Sequence, residues 1–230
     1  MLRHTAFFMF RDGVTPEQHL TMLKGLAYMR YECPTVLHLD YGTDLFGGSR
    51  EMYSIKPYRR TPRWRSRAEG PPTRFDVALH LDFADQEGND AYNDDAVHHE
   101  VAEYNASICE GELTARVDWH YEGDFRTRPG HVRHSEMFVW DDGVSPEDRQ
   151  AALDAVMRLD AAPGVESVVV GRNVGTLPTD FDWILDLQVA DEQSCKQVLG
   201  SDHYAEVMRA VTPLTKHEWT ARISHVMRGI

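Results

Sequence analysis

The chain has 230 residues, 42% hydrophobic and 27% charged, with a formal net charge of −13. That length suits one large or two small domains. The acidic balance excludes general nucleic-acid binding, which needs a basic surface, and no apolar run approaches the ~18–20 residues that cross a bilayer.

In chain order, His4 to Phe10 reads as a short strand with His4, Ala6, Phe8 and Phe10 on one face. Thr15-Pro16-Glu17-Gln18 is a helix start, with a Thr N-cap, Pro at the first position and Gln closing a capping box. The helix that follows is predicted to bury Leu20, Leu23 and Ala27. Thr35 to Tyr41 is a second strand. Phe75 to Phe83 is a third, sharply alternating, with Phe75, Val77, Leu79, Leu81 and Phe83 on one side and Asp76, Ala78, His80 and Asp82 on the other. A helical region from about Glu87 to Cys109 is predicted to break near Asp94-Asp95, and Thr114 to Tyr121 closes the set as a strand.

The pattern then repeats. Arg3-His4 and Asp12-Gly13-Val14 recur as Arg133-His134 and Asp142-Gly143-Val144, 130 residues on. Phe75-Asp76, Ala84-Asp85, Glu100-Val101 and Thr114-Ala115-Arg116 recur at an offset of 106 as Phe181-Asp182, Ala190-Asp191, Glu206-Val207 and Thr220-Ala221-Arg222. Shared offsets over separated motifs mark an internal duplication, with one unit over 1–124 and the other over 131–230. The change in offset marks an insertion in the first unit, over 47–74. There Arg50, Lys56, Arg59, Arg60, Arg63, Arg65, Arg67 and Arg74 stand against only Glu51 and Glu69, among four prolines. Prolines at this density oppose helix and central strand, so a long basic loop is expected: a solvated insertion, or a lid whose arginines attract an anionic small molecule. A nucleic-acid arm ranks last because the body is acidic.

Each unit thus reads βαββαβ, a ferredoxin-like four-stranded antiparallel sheet with two helices on one face. Phe7, Met9 and Trp140 are too large to leave in water on the other face, so the two sheets are expected to pack face to face as an intrachain α+β barrel. Cys33, Cys109 and Cys195 form no CxxC pair, which argues against a disulfide framework or a thiolate zinc site. With no signal-like start in Met1 to Thr5, the expected compartment is the cytoplasm.

Arg3-His4, Asp12-Gly13-Val14-Thr15, Phe75 to Asp85 and Tyr92 through His98, with Arg133-His134, Phe181 to Asp191 and Ser201-Asp202-His203-Tyr204 in the second copy, resemble the stress-responsive A/B barrel (Dabb) family of dimeric α+β barrels. The resemblance spans nearly all of both copies except the basic loop. Its best-understood enzyme type is a plant polyketide cyclase that works without metal or organic cofactor, using a tyrosine and a histidine six residues apart and a first-strand histidine. Those positions match Tyr92, His98 and His4. In the second copy the first two are Val198 and Tyr204, with His203 one residue out of place, so an equivalent second site is not expected.

The resemblance implies a cofactor-free enzyme of the cyclase, lyase or isomerase kind, acting on a small carbonyl-bearing molecule. His98 would be the base, Tyr92 and His4 would orient the substrate, and Ala6, Phe8, Leu79, Arg59 and Arg60 would contact it, the arginines admitting an anionic one. Imidazole suits removal of a proton next to a carbonyl. Two other readings remain open: a non-catalytic ligand-binding or stress-response protein using the same cleft, and a cofactor-independent monooxygenase. No metal, membrane or nucleic-acid partner is expected, and pairing of whole chains into a homodimer is left open.

Overall fold

The computed structural model describes residues 1–46, 75–111, 114–122, 127–175 and 181–229. The basic loop 47–74, with Arg59 and Arg60, and 123–126 of the join between the copies lie outside the described residues.

The first repeat runs β1 (Leu2–Phe8), α1 (Pro16–Glu32), β2 (His38–Thr43), β3 (Val77–Phe83), α2 (Gln86–Asn93), α3 (Ala96–Ile108) and β4 (Ala115–His120). The second runs β5 (Val132–Phe138), α4 (Pro146–Met157), β6 (Val165–Arg172), β7 (Trp183–Val189), α5 (Glu192–Leu199), α6 (Asp202–Val211) and β8 (Ala221–Val226). Each forms an antiparallel sheet, in the orders β2-β3-β1-β4 and β6-β7-β5-β8.

Many of the duplicated motifs are the caps that end these elements. Asp76 accepts the Phe10 amide through Oδ2 at 2.7 Å, and Asp182 accepts the Trp140 amide at 2.8 Å, which ends β1 and β5 alike. β1 therefore stops at Phe8, short of the expected Phe10, and Phe10 returns only as a bridge to Cys109. Asp85 and Asp191 cap α2 and α5 by accepting the amides of Gly88 and Ser194. Thr15 and Gln18 form the full capping box of α1, and Ser145 caps α4. The buried side of α1 is Met22, Leu23, Leu26 and Met29. Leu20, expected inside, is 52% exposed, and Ala27 is only half-buried, because the stripe facing the sheet is turned by about a quarter turn, with Leu23 common to both.

The two sheets pack face to face around a shared core that includes Phe7, Met9, Val117 and Trp119 from the first repeat and Met137, Val139, Ile184 and Ile223 from the second. Trp140 is not there. It stacks on Trp183 on the helix side of the second sheet, as its correspondence with Phe10, on the helix side of the first repeat, requires. The sheet edges meet twice, in the same way. Leu45 N–H donates to the Ser224 carbonyl at 2.7 Å while Ser224 N–H donates to Asp44 Oδ1; Val174 N–H donates to the Asp118 carbonyl at 2.7 Å while Asp118 N–H donates to Asn173 Oδ1. Gly42 and Gly171 permit this approach. A Cβ on Gly42 would lie 2.6 Å from the His225 ring, and one on Gly171 would lie 2.3 Å from Trp119.

Strand alternation sends the two residues of each Arg-His pair to opposite faces. The arginines enter the space between the sheets. Arg3 pairs with Asp82 at 2.6 Å and Asp186 at 3.3 Å, and Arg133 lies 3.0 Å from Asp40, whose other neighbour is His225 at 3.0 Å. The histidines turn toward the helices.

Candidate active site

His4 comes from the middle of the first sheet, and its neighbours from β4 and the two helices above. Its Nδ1 lies 2.6 Å from Asp118 Oδ1, and Asn89 Nδ2 reaches Asp118 Oδ2 at 3.5 Å. Burial pushes the Asp118 carboxyl up, but the His4 hydrogen bond and charge, with Asn89 and Arg116, more than offset this and hold it below its ordinary value. An ionised carboxylate only accepts, so His4 donates from Nδ1 and carries its lone pair on Nε2 when neutral.

Residues six apart do not share a face of a regular helix. The chain solves this by ending α2 at Asn93 and restarting at Asp95, whose side chain accepts the amides of Val97 and His98. The break brings the Tyr92 and His98 rings to 4.1 Å, with His4 6.4 Å from Tyr92. His98 Nδ1 lies 3.4 Å from the Asn93 carbonyl, which can only accept, so Nδ1 donates and Nε2 holds the lone pair. Burial lowers the His98 pKa to about 4, partly offset by that carbonyl, and the ring is neutral near pH 7. Burial pushes the Tyr92 phenol well up, so it stays a hydroxyl donor. Its nearest acceptor is the weak one of Met29 Sδ at 3.6 Å.

These groups line one cavity of about 410 Å³, within the range of small-molecule sites. His4, Tyr92, His98, Ala6, Phe8 and Leu79, all named from sequence, are on its wall. So are Arg116 and Asn105, which sequence reasoning missed. Burial pulls the Arg116 pKa down, with Asp118 and Tyr92 acting against it; guanidinium nonetheless stays charged. Asn105 Oδ1 is buried with no hydrogen-bond partner among the described residues, an acceptor offered to a ligand. Cys109 also faces the cavity, but burial pushes its thiol up to about 12, which makes it packing rather than a nucleophile. Among the described residues no three His, Cys, Asp or Glu side chains converge as a metal site.

The second repeat builds its counterpart differently. Glu136, at the position of Ala6, is fully buried. Its Oε1 accepts from His134 Nε2 at 3.0 Å and from the Tyr204 hydroxyl, and its Oε2 from Arg222 Nε at 2.8 Å. Burial pushes Glu136 up, yet Arg222, His134 and Tyr204 outweigh it and hold the carboxyl at about 2. His203 donates to the Arg158 carbonyl at the surface.

No family model matches the sequence, and no curated protein matches it. Solved structures do. An anthrone oxidase-like protein matches with TM-score 0.66 at 12% identity, covering 100% of this chain and 92% of its own. A candidate monooxygenase from Lactobacillus acidophilus matches with TM-score 0.53 at 13% identity, covering 99% and 93%. Another from Fusobacterium nucleatum matches with TM-score 0.54 at 13%, covering 99% and 91%. Likeness at this identity is likeness of fold. The chain is a tandem ferredoxin-like α+β barrel, two βαββαβ units fused as a pseudo-dimer. No helix among the described residues is long and apolar enough to cross a membrane.

Proposed function

We propose that the first-repeat cavity is the active site of a cofactor-free acid/base enzyme, of the cyclase, lyase or isomerase kind, acting on a small carbonyl-bearing molecule. The resemblance to the Dabb family suggests this chemistry, and one observation carries it: a histidine backed by an ionised carboxylate opens onto a cavity that also holds a neutral phenol and a cation. His4 Nε2 takes the proton next to the substrate carbonyl, and Asp118, a positioning residue, stabilises the imidazolium that forms. This reading moves the base from His98 to His4. His98 is held near pKa 4 by burial and is a weak base, whereas His4 has an anion behind it. Tyr92 and Arg116 supply hydrogen bonds and charge for the oxygen on which the electrons collect.

Deuterium incorporation into β-tetralone and related aryl ketones, followed by NMR, tests it. Wild type exchanges the protons next to the carbonyl. His4→Gln lowers the rate by ~10²–10⁴, and Asp118→Asn lowers it by about tenfold or more because the imidazolium loses its anionic partner. Ketones that bind the cavity without exchange would make the protein a non-catalytic binder and overturn the reading.

A second reading shares the first step. Fold relatives are named as a candidate monooxygenase and as anthrone oxidase-like, and the second reading is a cofactor-independent monooxygenase, in which dioxygen rather than a carbonyl traps the carbanion. Anthrone converted to anthraquinone and water with matched oxygen uptake, lost in His4→Gln, would select it.

A further inference from the structure

The two repeats are aligned by their own register. Ala6 pairs with Arg116 across β1 and β4, and Glu136 pairs with Arg222 across β5 and β8. Every group that holds the Glu136 carboxylate has a counterpart in the first cavity: His134 matches His4, Tyr204 matches His98, and Arg222 matches Arg116, all three lining the cavity. Ala6 stands where Glu136 would be, and the His98 ring stands in place of the Tyr204 phenol.

We infer that the first cavity binds a planar three-atom oxyanion where the second repeat holds its own carboxylate, with one end at Arg116 and the other at His4, beside the neutral His98 ring. This deepens the acid/base reading and rests on it for the reactive species. The O–C–O of a carboxylate and the O–C–C of an enolate share shape and delocalised charge. With the enolate oxygen at Arg116, its carbon falls within reach of His4. In the step, the C–H bond next to the carbonyl breaks, its electron pair forms the C=C bond, and the carbonyl π pair moves to the oxygen. The proton passes to His4 Nε2, which then donates to the anion while Nδ1 donates to Asp118. Glu136 is thus a built-in image of the intermediate, and a site complementary to an intermediate binds its stable analogues tightly.

In the bound state His4 Nε2 donates to the carboxylate while Nδ1 donates to Asp118. The titratable and charged groups facing His4 are Asp118 and Arg116 on β4, Tyr92 on α2 and His98 on α3, with His80 on β3 coupled from the far face of the sheet.

Calorimetric titration of the full chain with benzoate and with benzamide tests the inference. Benzoate is expected to bind one site, at least about tenfold tighter than benzamide. Arg116→Gln weakens benzoate by at least about tenfold, Ala6→Glu abolishes its binding by filling the site, and Tyr204→Phe leaves it unchanged. Equal affinity for the amide, no benzoate binding, or benzoate binding indifferent to Arg116→Gln overturns the proposal. If Ala6→Glu does not fold, Arg116→Gln and the acid–amide pair still decide. Benzoate bound as described while no ketone exchanges would remove the enzymatic reading and leave the oxyanion site; ketone exchange without preference for benzoate would do the reverse.

Discussion

The two helix-side pockets of this barrel start from one plan and end in opposite states. In the first repeat a small residue at position 6 leaves a cavity walled by His4, His98 and Arg116. In the second, Glu136 enters the same space and satisfies the matching histidine, tyrosine and arginine from within. The exchange of Ala6 for Glu136 places the protein's own carboxylate where the first pocket is open to a ligand. The residue behind the histidine changes with it: Asp118 in the first repeat, Ser224 in the second, where His134 Nδ1 lies 2.7 Å from the hydroxyl. An anion behind the ring helps it take a proton, whereas a hydroxyl serves where the ring only holds a resident carboxylate.

The contrast is broken most severely by Glu136→Ala. Removing one partner of a buried ion pair takes the carboxylate away from Arg222 Nε and is expected to cost ~3–5 kcal/mol, read as a lower urea midpoint. Ala6→Glu, which copies the second repeat into the first, is expected to keep stability within about 1–2 kcal/mol while closing the cavity. Similar losses from both would deny the correspondence. Gly171→Val comes next, because the Trp119 ring occupies the space of any added side chain; overpacking there costs ~1–3 kcal/mol, seen in thermal unfolding.

Acid sharpens the comparison further. Glu136 and, between the sheets, Asp40 are both held at about 2, below ordinary values of 4.5 and 3.8. Groups with depressed pKa add stability above their unfolded values and lose it as pH falls through the folded ones. The melting temperature should therefore hold at pH 6 and fall between about 4.5 and 2. Glu136→Gln should flatten part of that slope, and an unchanged slope would contradict the assignment. Tyr204→Phe is expected to leave ketone exchange unaltered and to cost ~1.5–3 kcal/mol for one hydrogen bond to a charged group.

Much of this was legible in the sequence because repeated motifs do repeated work. Phe75-Asp76 and Phe181-Asp182 stand out in the chain because Asp76 and Asp182 each end a strand, and Ala84-Asp85 and Ala190-Asp191 because they start helices. Period-two alternation put Ala6 and Phe8 on one face with His4, and that face, with Leu79 of the neighbouring strand, walls the cavity. Asp118, Arg116 and Asn89 were missed because what they touch depends on β1–β4 register and on the fall of α2 over the sheet, both non-local. A signal existed all the same: aligning the repeats sets Ala6 against Glu136 and Asp118 against Ser224, a paired exchange on facing strands. Leu20 and Trp140 went wrong for local reasons, since an apolar residue near a stripe is not thereby inside it.

The most direct measurement is proton exchange on a ketone that NMR has located in the first cavity. If His4 and Asp118 form the base, wild-type protein and Tyr204→Phe exchange the protons next to the carbonyl at equal rates, and His4→Gln stops doing so while still binding the ketone. Exchange that persists in His4→Gln, or that never rises above the buffer rate in wild type, would contradict the account.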